Sequence, residues 1–141
     1  MYQITCAADL ESLHVLRRFI DTSCRPAVDE RTLYDLKLAV DEACTNIITH
    51  GYAGMDPGSI MLRLELDSRK ITLTITDFGH PFEPYEPDKP DVNAAMDETE
   101  LSGFGLFFIY ESMDEIDYQE TEDGNSLILT KRLPAVDDRT I

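Results

Sequence analysis

The sequence has no tryptophan, three cysteines, seven glycines and only twelve basic residues. Cys6, Cys24 and Cys44 are odd in number and widely spaced, with no C-x-x-C. That argues against a zinc site or a disulfide framework, and a reducing cytosol is the simpler home. Twelve Lys and Arg stand against 28 Asp and Glu, a net charge of −16. Direct nucleic-acid binding needs a basic footprint, and so does an anionic membrane surface, so both are argued against. No stretch approaches the ~18 apolar residues of a membrane span. The N-terminus MYQITCAADLE has neither the basic lead nor the apolar run of a signal peptide. Internal repeats, a Ser-His-Asp arrangement, a G-x-x-x-x-G-K loop and a Rossmann pattern are also absent.

What is present is enough for one domain: 141 residues, 43% of them apolar. Residues 1–134 read as that domain and 135–141 as a loose tail. The chain is organised around residues 33–52. Leu33, Leu36, Val40, Ala43 and Ile47 recur at steps of three and four, which predicts a helix with one buried face. Asp29 is its expected N-cap and Gly51 its stop. At about 100° per residue, Glu42 and Asn46 lie ~40° apart at the edge of the apolar stripe. Such a pair suits divalent-metal and phosphate chemistry: Asn offers a neutral oxygen ligand, and Glu a ligand or a base for a hydroxyl. In isolation the same spacing is more often a solvated polar face.

Around this helix the alternation is that of strands. Tyr2–Ala7 is an expected edge strand. Asp9 should cap a helix to about Thr22, with Leu10, Leu13, Leu16, Phe19 and Ile20 buried. His14 within it reads as packed or surface, because no second long helix exists to build a phosphoacceptor hairpin. Residues 60–67 and 71–76 alternate strictly and are joined by a short turn, an antiparallel hairpin. One polar face per strand predicts a two-layer α/β sandwich, a mostly antiparallel sheet with helices on one face. Asp77 keeps the parity of Ile71, Leu73 and Ile75, so it is either a turn residue beside Gly79 or a carboxylate facing the core with a partner. Residues 80–101 carry four prolines and many acids, a lid or a disordered segment. Ser102-Gly103-Phe104-Gly105 opens a further helix, whose exposed N–H groups suit phosphate. Ile116–Glu120 and Leu127–Leu133 are two more strands around an Asp123-Gly124 turn.

Taken in order, LAVDEACTNIITHGY (38–52), ITDFGHPFEP (75–84) and SGFGLFFIYESMDEIDY (102–118) resemble the GHKL ATPase superfamily. Within it they resemble the small anti-sigma-factor serine/threonine kinases of bacterial stress response and sporulation. The resemblance implies a GHKL-type ATP-binding fold using ATP and Mg2+. It assigns Asp77 to adenine with Gly79 beside it, Gly103 and Gly105 to the phosphates, and Phe104 and Leu106 to cofactor binding. Asn46 becomes the magnesium ligand and Glu42 the general base. It also implies a cytoplasmic homodimer, an antagonist protein bearing a phosphorylatable serine, and a sigma factor as client. The chain departs from many relatives in having Leu101 and Ser102 where an Arg stands beside the lid glycines, and only Lys89 as a base in the lid. A nucleotide-dependent binding switch with little kinase activity is the alternative.

Overall fold

The computed structural model describes residues 1–80, 109, 111–122 and 124–133. The predicted lid after His80, the glycines Gly103 and Gly105 with Phe104 and Leu106, and the 135–141 tail lie outside these. The described strands are β1 (Tyr2–Ala7), β2 (Ser59–Leu66), β3 (Lys70–Asp77), β4 (Glu115–Thr121) and β5 (Gly124–Arg132). They form one sheet of order β1-β2-β3-β5-β4, every neighbour antiparallel. Among the described residues, the helices α1 (Ser12–Cys24) and α2 (Glu30–Asn46) lie in the second layer, and α2 continues into a π-helical turn, Ile47–Gly51.

Strand parity decides the core. Ile60, Leu62 and Leu64 of β2 lie opposite Asp77, Ile75 and Leu73 of β3, and Leu73 in turn opposite Leu129 of β5. All the apolar members of this set are buried. Onto them α1 packs Leu16, Ile20 and Cys24, and α2 packs Leu33, Leu36, Ala39, Val40, Ala43 and Cys44. Each fully buried Leu or Ile contributes about 1.5–3 kcal/mol. On the other face of β3, Thr72, Thr74 and Thr76 are only half-buried, the polar side that the alternation predicts.

Three boundaries differ from the sequence reading. Helix α1 starts at Ser12 rather than just after Asp9. The Asp9 carboxylate accepts from the Ser12 amide (2.9 Å), but Leu10 precedes the helix and is 62% exposed. At its other end α1 runs on to Cys24, because Leu16, Ile20 and Cys24 form one buried stripe at steps of four. Helix α2 is capped as expected, Asp29 accepting from the Thr32 amide (2.7 Å). The helical run also stops at Gly51 as expected, its last turn being π and Gly51 not at positive φ. Strand β5 begins at Gly124, three residues before Leu127, which brings Asn125 and Ser126 into register with Asp77 and Thr76.

One buried acid ties the layers. Asp35 of α2 lies 3.6 Å from Lys131 Nζ of β5 and 3.4 Å from Arg31 Nε, while the same Lys131 donates to the Ser112 carbonyl (2.7 Å).

Candidate active site

Asp77 is the last residue of β3 and is buried, so the parity argument places it correctly on the helix-covered face. Its burial is tolerated because its partners are supplied by the fold. Oδ1 accepts from the Gly79 amide (2.9 Å) and from Asn125 Nδ2 (3.2 Å). Asn125 Nδ2 also reaches the Gly79 carbonyl (3.0 Å), closing a clip over the Asp77–Gly79 turn. Among the described residues nothing donates to Oδ2. One oxygen of the carboxylate is thus held by the protein, and the other is left to an incoming donor.

Asn125 is the residue that the sequence did not reveal. Its only signal is the register across β3 and β5, and that depends on where β5 begins.

Gly79 has a steric reason to be glycine. A Cβ there would sit 2.6 Å from the Gly51 carbonyl carbon and 3.2 Å from the Tyr52 amide nitrogen. The close approach is fixed by His80, whose amide donates to the Gly51 carbonyl (2.5 Å) and whose Nε2 lies 3.0 Å from the Ala53 carbonyl. From the other side, a Cβ on Gly51 would lie 3.8 Å from Asp77 Oδ1. Asp77, Gly79 and the C-terminal end of α2 therefore share one site.

Glu42 and Asn46 stand on the last turns of α2, both half-buried. Neither side chain has a hydrogen-bond partner among the described residues. Burial, and then the neighbouring Asp41 charge, push the Glu42 carboxyl above its ordinary range. Burial raises Asp41 as well, against the pull of Arg17 and Lys37. Arg17 Nε is 3.2 Å from Asp41 Oδ1, but the approach lacks hydrogen-bond geometry and leaves that buried oxygen without a donor. What results is a carboxyl with no hydrogen-bond partner among the described residues and a raised proton affinity, the direction that suits a base for a hydroxyl. No group of three or more His, Cys, Asp or Glu suited to a metal occurs among the described residues.

The remaining candidates play no part here. His14 is exposed, lining a crevice of about 360 Å³ with Arg17, Arg18, Asp21 and Lys37. The thiols are free, and burial pushes Cys24 up to about 11 and raises Cys44 further still. Protonated, buried thiols are poor nucleophiles and poor metal ligands.

Residues 6–131 match the histidine kinase-like ATPase domain. The chain is 31% identical over 113 residues to the anti-sigma F factor of Clostridium novyi, covering 79% of this chain and 78% of that one. It is 31% identical over 100 residues to the serine/threonine-protein kinase BtrW of Bordetella bronchiseptica, covering 71% and 70%. In fold it resembles the crystal structure of the RsbU and RsbW domains of Rv1364c from Mycobacterium tuberculosis, with a TM-score of 0.67 over 96% of this chain and 18% identity. It spans 34% of that longer chain. With its two-layer antiparallel α/β fold and its carboxylate at the end of β3, the chain belongs to the histidine kinase-like ATPase domain family, in the group of the anti-sigma-factor serine/threonine kinases.

Proposed function

We propose that the protein is an ATP-dependent anti-sigma regulatory factor, a serine/threonine kinase that phosphorylates a small antagonist protein and sequesters a sigma factor. The observation that carries this reading is the buried Asp77 carboxylate, with one oxygen tied down by Gly79 and Asn125, set against the end of the helix that bears Glu42 and Asn46. The free oxygen suits the exocyclic amine of adenine, and Gly79 beside it lets the turn close on the Gly51 carbonyl. Gly103 and Gly105 keep their phosphate assignment, and Phe104 and Leu106 their cofactor-binding one, on the motif alone.

Glu42 accepts the proton of the partner's serine hydroxyl as the γ-phosphoryl group is transferred. Asn46 is the one protein oxygen assigned to magnesium. Magnesium usually keeps several waters and is shared with substrate phosphates, so Asn46 would be joined by these in holding it. When bound, magnesium neutralises the charge that develops on the phosphates. We assign the catalytic unit to residues 1–134 and place the protein in the bacterial cytoplasm as a homodimer. No helix among the described residues is long and apolar enough to cross a membrane.

The test is incubation with ATP labelled at the γ-phosphate, together with the small proteins encoded beside it. Label on a serine of one of them supports the kinase reading. Nucleotide-dependent binding of those proteins with no transfer makes the protein a binding switch instead.

A further inference from the structure

The β2–β3 ladder ends abruptly at the point where Asp77 leaves it. The last pair is Ile60 with Asp77, so one more step of the same register would pair Ser59 with Phe78. That step is occupied by a side chain. The Tyr52 hydroxyl donates to the Ser59 carbonyl (2.7 Å) and accepts from the Phe78 amide (2.9 Å). It stands between the two backbone groups that would otherwise be free to bond each other. Tyr52 is 6% exposed and follows the π turn of α2 directly, so this wedge is anchored in the helix that carries Asn46. Gly58 completes its seat, because a Cβ there would fall 2.8 Å from the hydroxyl.

The consequence reaches the carboxylate. The Phe78 amide belongs to the peptide unit that follows Asp77, so the hydroxyl sets the direction in which the chain leaves β3. That direction brings the Gly79 amide back onto Asp77 Oδ1 and the His80 amide onto the Gly51 carbonyl. Without the hydroxyl, Ser59 and Phe78 could pair directly, the ladder would lengthen, and the turn that presents Oδ2 would rotate.

We propose that Tyr52 is a positioning residue for base recognition, its hydroxyl ending the β2–β3 ladder so that the free oxygen of Asp77 is aimed at the base of the nucleotide. The inference rests on the reading of Asp77 as the base-binding carboxylate, and the experiment separates the two. ATP and GTP affinities are measured by titration calorimetry for wild type, Tyr52→Phe, Gly58→Ala and Asp77→Asn, with kcat and KM for ATP in the transfer assay.

Loss of a buried hydrogen-bonding hydroxyl should weaken ATP binding by about 5- to 30-fold in Tyr52→Phe. GTP affinity should change little, so that the preference for ATP falls. The KM for ATP should rise while kcat at saturating ATP holds, because Glu42 and Asn46 are untouched. Gly58→Ala should move the ratio in the same direction by displacing the hydroxyl instead of deleting it. A merely structural tyrosine would lower the melting temperature and leave the ATP/GTP ratio alone, and that result would overturn the proposal. Should Tyr52→Phe fail to fold, the ratio in Gly58→Ala decides alone, and an unchanged ratio there is fatal. Wild-type affinity in Asp77→Asn would instead remove the base reading itself, and the inference with it.

Discussion

At the scale of single residues, the two carboxylates have opposite duties and should fail differently. In Asp77→Asn the amide can still accept from Gly79 and Asn125, but it presents N–H where the free oxygen stood, so a donor faces a donor. A lost hydrogen bond of this kind costs about 1–3 kcal/mol, and ATP affinity should fall accordingly while the unliganded melting temperature changes little. If ATP stabilises the variant as well as wild type, Asp77 does not meet the base. Glu42→Gln should keep ATP binding and lose transfer. General-base removal typically costs about 10²–10⁴-fold. A loose phosphoryl-transfer transition state needs little early proton removal, which places the loss in the lower half of that range or below. Because Glu42 is raised above its ordinary 4.5, transfer should climb with pH through a value above 4.5 and then level off. That limb should vanish in Glu42→Gln and move to lower pH in Asp41→Asn, which removes the second cause of the shift. The same raised carboxyl should make the unliganded protein lose stability as pH rises through the folded value, since the charged form is the one that burial penalises.

At the scale of the element, α2 carries both the core and the chemistry, so its two ends can be probed separately. At its start, the Thr32 hydroxyl and then the Thr32 amide hold the Asp29 carboxyl below its ordinary 3.8. A depressed carboxyl stabilises the fold above its unfolded value and loses that contribution as pH falls through the folded one. Asp29→Ala should therefore melt below wild type at neutral pH, and the two curves should converge in acid. A difference that persists in acid would mean the cap acts through something other than its charge. At the other end, Asn46→Ala should leave the unliganded fold intact and abolish the magnesium dependence of the ATP-induced thermal shift. An unchanged magnesium titration would place the ion elsewhere. The π turn after Asn46 was not legible beforehand, because the heptad-like spacing through Ile47 is the same for an α continuation and a widened turn.

At the scale of the whole molecule, the two layers are joined by a buried charge as well as by the apolar core. Lys131→Met should leave Asp35 with only the exposed Arg31 beside it, and the loss should cost about 1–3 kcal/mol. The residual Arg31 contact argues for the low end. Combining it with Asp35→Leu should recover most of the loss in urea unfolding, whereas additive losses would show that the two residues do not act as a pair. What the sequence by itself determined is whatever repeats locally: the alternation of β2 and β3, the stripe of α2, the Asp29 cap, and the parity that turns Asp77 toward the core. Those follow from fixed periods of 2 and 3.6 residues and need no partner to be known. The order of the three motifs likewise points to the family from the sequence alone. The Asn125 clip on Asp77 spans 48 residues, the Gly79 approach to Gly51 spans 28, and Tyr52 enters a ladder made by two other segments. Only the tertiary structure decided these, because a local period says which face a side chain takes but not which distant residue will be opposite it.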